Sequence, residues 1–196
     1  TRTYRNEGDS WSDGIFLRNN ADLYQDWSAY LDTGISWSRE EGEETARNTL
    51  FRLGTKLIPN DVVTLNLDYT ENRTQSAGEG TQVRERGSLQ AFILPTRNLS
   101  IFARLQYEED EESRSTLQNY DLNWSPSTGG SVQFFLSYNR RILSEGDQED
   151  TVLSPGLRWR ITRYATLRAT YSIFTSDSNT QTRDSRSLTA SLKMNL

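Results

Sequence analysis

Apolar and polar residues alternate with a period of two along almost the whole chain. Between Trp27 and Trp37, for example, the odd positions hold Trp, Ala, Leu, Thr, Ile and Trp, while charged and polar residues occupy many even positions. Successive side chains of a β-strand point to opposite faces, so this pattern predicts strands with one apolar face. Eleven segments show it: 15–24, 27–38, 48–57, 62–71, 82–94, 99–108, 115–124, 131–140, 151–161, 165–175 and 186–196.

The length and spacing of these segments favour a membrane barrel. Each segment has about ten residues, near the 9–11 that a strand needs to cross a bilayer at a tilt. Short connections (24–26, 58–61, 95–98, 125–130, 162–164) alternate with long ones (39–47, 72–81, 109–114, 141–150, 176–185). Short periplasmic turns and long extracellular loops are typical of outer-membrane barrels.

Aromatic residues on the apolar face cluster near the strand ends. The positions near short turns are Trp27, Trp124 and Trp159, and those near long loops are Trp37, Tyr69, Tyr107 and Tyr138. Amphipathic rings prefer the two membrane interfaces, so these residues are predicted to form two aromatic girdles.

A soluble β-sandwich is the competing fold, because its strands also alternate apolar and polar residues. In that fold the apolar face would point into a core. The long strands, the alternating loop lengths and the aromatic residues at strand ends argue against it. The prediction is therefore an all-β, transmembrane, antiparallel up-and-down barrel that forms one domain over residues 1–196.

The number of strands points to an incomplete N-terminal strand. Eleven strands are visible, but single-chain bacterial barrels have even numbers of strands. Residues 1–6 fit the top of a twelfth strand, followed by a loop at 7–14. Either that strand is incomplete, or the chain is the C-terminal part of a larger barrel.

The last ten residues, SLTASLKMNL, resemble the outer-membrane β-signal. Leu192, Met194 and Leu196 occupy its alternating apolar positions, although the usual terminal residue is aromatic. With the strand rhythm and the girdles, the chain resembles the porin-like barrels of Gram-negative outer membranes. The resemblance implies an integral outer-membrane protein that contacts lipid and lipopolysaccharide.

The opposite face of the predicted strands is polar and basic. Its predicted selectivity residues are Arg18, Arg52, Lys56, Arg84, Arg86, Arg104, Arg158, Arg160, Arg168 and Lys193; the opposing acids are Asp22, Asp32, Asp68 and Asp121. Rings of Arg or Lys lower the barrier for anions. The sequence therefore predicts a porin-like channel for small hydrophilic, mainly anionic solutes, although cross-strand Arg–Asp pairs in a filled barrel would give the same pattern.

A barrel of this kind can also belong to two other functional classes. A barrel that sheaths or anchors a partner protein, such as an electron-conduit cytochrome or a surface assembly, is the main alternative. The chain contains no Cys and no His, which argues against thiol catalysis, haem attachment and histidine-dependent hydrolysis. We therefore expect no enzyme activity, no cofactor and no metal. The net charge of −5 argues against a nucleic-acid partner.

Overall fold

The fold is a single antiparallel β-sheet. The computed structural model describes residues 2–4, 11–39, 45–76, 80–111, 113–127, 129–144 and 147–194. Its strands are β1 (Arg2–Tyr4), β2 (Trp11–Tyr24), β3 (Trp27–Arg39), β4 (Ala46–Asn60), β5 (Val63–Gln75), β6 (Thr81–Thr96), β7 (Leu99–Glu109), β8 (Arg114–Trp124), β9 (Val132–Leu143), β10 (Gln148–Arg160), β11 (Ala165–Ser178) and β12 (Gln181–Met194).

The strands lie in the order of the sequence, and each pairs with the next. This confirms the predicted all-β, up-and-down arrangement of about twelve strands. β1 pairs with β2 from Arg2–Asp13 to Tyr4–Trp11, so β2 begins inside the predicted loop 7–14. In the described part of the chain the sheet is open, because no strand pairing joins β12 to β1.

The sheet has one layer and no hydrophobic core. No hydrophobic side chain among the described residues is buried, and the apolar residues of the edge strands are the most open, with Ile15 at 70% and Leu188 at 72% exposure. A β-sandwich would bury these residues between two sheets. Within the described ranges no helix is long or apolar enough to be a membrane span.

The loops predicted to be long are shorter in the structure. β11 and β12 continue to Ser178 and Gln181, so the predicted loop 176–185 is a tight turn. β5 and β6 likewise extend to Gln75 and Thr81 into the predicted loop 72–81. These extensions have polar side chains on both faces, so the alternation of apolar and polar residues does not predict them. They still pair as strands, because hydrogen bonds between strands join backbone groups and do not require apolar side chains.

Three aromatic side chains of the polar face each lie over a glycine on the neighbouring strand. Phe16 covers Gly34, Tyr30 covers Gly54 and Phe135 covers Gly156, and in each case the two residues are directly paired across the strands. A Cβ atom at any of these glycines would overlap the ring. The glycines therefore allow the rings to lie flat on the sheet, a known way to cover glycine in a strand.

We expect Gly156→Ala to lower the free energy of unfolding by about 1–3 kcal/mol, because the ring of Phe135 must move away from the new methyl group. Gly87→Ala is the matched control: it is also a strand glycine, but nothing lies within 4 Å of its added Cβ atom. Urea denaturation of both variants measures the difference. Equal stabilities of the two variants would contradict the ring–glycine contact.

Candidate functional site

The candidate site is the polar face of the sheet. The strand register places all the predicted selectivity residues on this one face, through cross-strand pairs that include Arg18–Asp32, Asp32–Arg52, Arg104–Asn119, Arg158–Arg168 and Thr166–Lys193. Most leucines of the strands and all the predicted girdle residues occupy the opposite face. The role of these basic residues in selectivity stays a prediction.

On β2 and β3, an ion pair neutralises one of the predicted selectivity arginines of the polar face. Arg18 donates two hydrogen bonds to Asp32, at 3.0 and 3.2 Å. Asp32 is buried, with 8% exposure, whereas 71% of the Arg18 side chain is exposed. The pair thus consists of a buried carboxylate and a solvent-exposed guanidinium. The two opposite charges leave little net charge at this point of the face.

Tyr30 links three strands of the same region. Its ring crosses Gly54 of β4, and its hydroxyl donates to Asp68 Oδ1 on β5 over 2.6 Å. Gly54 and Asp68 are directly paired, so the Tyr30 ring must cross position 54 for its hydroxyl to reach Asp68. Only glycine leaves room for the ring at that position.

The middle of the polar face carries two further arginines with partners. Arg84 Nε donates to Glu108 Oε1 over 2.8 Å, and Arg86 donates to Gln106 over 2.9 Å. Arg104 differs: its guanidinium lies 5.5 Å from the ring centroid of Phe102, and its Nε atom is buried without a hydrogen-bond partner. Arg104 forms no ion pair with a carboxylate among the described residues.

The basic residues of β10 to β12 have no carboxylate partner among the described residues. Arg158 and Arg168 are directly paired across the strands, and Arg168 lies 5.3 Å from the ring centroid of Phe135. Arg160 donates to the backbone oxygen of Gly129 over 2.6 Å. With Lys193 on β12, these residues make the turn end of β10 to β12 the most basic part of the face.

Cavities open on the described part of the polar face. One of about 590 Å³ lies at the loop end, where Phe16, Asn48, Asn72 and Arg84 are among the lining residues. A second of about 430 Å³ contains Asp22, Lys56 and Asp68, and a third of about 420 Å³ contains Arg158 and Arg168. Each is lined by several strands, so the polar face forms hollows that solutes can enter.

The predicted girdle residues lie on the apolar face, and several of them contact a side chain on an adjacent strand. Trp124 stacks on Phe134 with ring centroids 5.6 Å apart, and Tyr120 and Tyr138 lie 5.9 Å apart. Trp27 donates through Nε1 to Thr55 over 2.7 Å. Trp37, Tyr69, Tyr107 and Trp159 share this face by register. Their placement at membrane interfaces stays a prediction.

Beyond the aromatic positions, at the loop end, the apolar face becomes charged. Glu109, the last residue of β7, accepts hydrogen bonds from Arg114 and Tyr107. Arg140 and Glu149 form a similar pair through two hydrogen bonds of 2.8 and 2.7 Å. The apolar band is thus bounded by ion pairs on the loop side.

Sequence reasoning missed the aromatic residues of the polar face. Phe16, Tyr30 and Phe135 have the parity of polar positions, so the alternation gave no reason to select them. Each is paired with a glycine, which is a usable signal, but only once the register between neighbouring strands is known.

No family model matches the chain, and no curated protein matches it. Among solved structures the chain is similar to one described as "KdgM porin", with 9% identity, a TM-score of 0.40, and coverage of 96% of this chain and 94% of that chain. An identity and a TM-score this low do not support the assignment of a function, so the function proposed for this chain rests only on its own residues.

We expect Tyr30→Phe to lower the free energy of unfolding by about 1–2 kcal/mol, because the hydrogen bond to the Asp68 carboxylate is lost while the ring stays over Gly54. Tyr171→Phe is the control, since the Tyr171 hydroxyl has no hydrogen bond within the described residues and lies on the apolar face. Thermal or urea unfolding measures both, and equal effects would contradict a stabilising Tyr30–Asp68 bond.

Proposed function

We propose that this chain forms the wall of a porin-like channel in the outer membrane and lets hydrophilic, mainly anionic solutes pass without catalysing a reaction. In this arrangement the apolar face contacts lipid and the polar face lines the lumen. The tight turns that join β2 to β3 and β4 to β5 would lie in the periplasm, and the opposite ends of the strands would reach the cell surface.

The observation that carries the proposal is a one-layer sheet with a continuous apolar face and, in the described part of the chain, no hydrophobic core. Residues such as Leu67, Leu89 and Leu105 lie side by side on neighbouring strands and are 44–52% exposed. An exposed apolar surface of this extent is unfavourable in water and marks a surface that needs an apolar environment. The hydrocarbon of a bilayer supplies that environment, and the 11- to 16-residue strands are long enough to cross it.

The preference for anions is supported by the charges on the polar face. Its basic residues outnumber its acids, and only Arg18 and Arg84 of the predicted selectivity residues form ion pairs with carboxylates within the described ranges. An excess of fixed positive charge raises the local concentration of anions and lowers that of cations. The channel is therefore expected to conduct chloride better than potassium.

Leu89→Arg and Gln90→Arg test which face meets lipid, because these neighbours point to opposite faces of β6. Arginine at the lipid-facing position costs about 2–4 kcal/mol near the bilayer midplane. We therefore expect Leu89→Arg to fold poorly into lipid vesicles and Gln90→Arg to fold like the unchanged protein. Heat-modifiable migration on gels reports folding. The reverse order would place the polar face against lipid.

Reversal potentials across a planar bilayer in a KCl gradient test the anion preference. The pair Arg104→Gln and Arg168→Gln removes two positive charges from the polar face and should lower the ratio of chloride to potassium permeability severalfold. The pair Arg73→Gln and Arg186→Gln removes the same charge from the opposite face and should leave the ratio almost unchanged.

Two results would contradict the proposal. Equal effects of the two charge-matched pairs would mean that the polar face does not control permeation. Absence of conductance from folded, membrane-inserted protein would contradict an open channel and would favour the sheath around a partner protein that the sequence also allows.

A further inference from the structure

Two arginines face each other on neighbouring strands at the turn end of the polar face. Arg158 on β10 and Arg168 on β11 are directly paired, and both line the cavity of about 420 Å³. Side chains of directly paired residues lie about 4.5–5.5 Å apart at their Cβ atoms, and like charges in such positions destabilise a sheet. A negative charge placed between the two guanidinium groups would therefore stabilise this arrangement.

The protein does not supply that charge directly. Neither guanidinium forms an ion pair with a carboxylate in the described part of the chain. Asp121 is the acid that lines the same cavity, so one carboxylate faces two guanidinium groups. Arg160 and Lys193 lie one step further towards the turn on the same face and add positive charge.

The ring of Phe135 contacts one of the two arginines, Arg168. The ring of Phe135 lies over Gly156, two residues before Arg158, and the guanidinium of Arg168 lies 5.3 Å from the centroid of that ring. Contact with a ring face orients a guanidinium and reduces its contact with water. The amide groups of Asn123 and Gln133 also line the cavity and offer further hydrogen-bond donors.

We propose that this cavity is a binding site for an oxyanion, a phosphate or carboxylate group that bridges Arg158 and Arg168. Guanidinium groups donate parallel pairs of hydrogen bonds to such anions, which a spherical chloride ion cannot accept in the same way. The inference rests on the proposed channel and deepens it. The wall would carry a saturable site for solutes with an oxyanion group, in addition to a general positive field.

The test is calorimetric titration of the purified full chain in detergent with inorganic phosphate at low ionic strength, where screening is weak. Saturable binding is expected for the unchanged protein. Arg158→Gln or Arg168→Gln should weaken it by about tenfold, as loss of charge-assisted hydrogen bonds requires. Arg168→Lys keeps the charge but loses the paired donors, and it should also weaken binding.

Lys56→Gln is the matched control, because it removes the same charge from the same face in a different cavity. Its phosphate affinity should stay within about twofold of the unchanged protein. Acetate should compete with phosphate at concentrations at which chloride does not. Absence of saturable binding, an equal loss in Lys56→Gln, or equal competition by chloride would each overturn the site. Heat-modifiable migration confirms that every variant is folded.

The titration and the bilayer recordings separate the site from the channel. Anion-selective conductance without saturable phosphate binding would overturn the site and leave the proposed function in place. Saturable phosphate binding without any conductance would overturn the channel and leave the oxyanion site in place.

Discussion

The described residues form no hydrophobic core, and the other features of the structure depend on this fact. A single sheet has two faces, and with no second layer to pack against, each face must suit the medium that it meets. Here one face is apolar across neighbouring strands and the other is charged and hydroxyl-rich. Hydrogen bonds between strands satisfy the backbone, so the sheet can stand in hydrocarbon without a packed interior, provided that its edges are also paired.

The arginines of the polar face differ in whether a carboxylate partner neutralises their charge. On β2 to β7, Arg18 and Arg84 are held by carboxylates, and Tyr30 caps Asp68. On β10 to β12 the guanidinium groups have no such partners among the described residues. The same residue type therefore has two roles, one in stabilising the sheet and one in leaving positive charge available to a solute.

Glycine and aromatic residues shape the polar face between these charges. Because Gly34, Gly54 and Gly156 have no side chain, the rings of Phe16, Tyr30 and Phe135 lie along the sheet and do not project from it. Flat rings leave open hollows beside them and position the groups that they contact. Tyr30 reaches an acid two strands away, and Phe135 supports Arg168 next to its paired arginine.

The sequence by itself determined the all-β class, the strand order and the face of the sheet on which each side chain lies. Each of these follows from the alternation of apolar and polar residues within a single segment. It placed Arg158 and Arg168 on the same face as Arg18 and Arg84, but it could not distinguish them. Tertiary structure decided which arginines meet a carboxylate, which aromatic residues cover a glycine and how far the polar strand ends continue. These properties follow from register between strands, and register joins residues that lie far apart in the sequence.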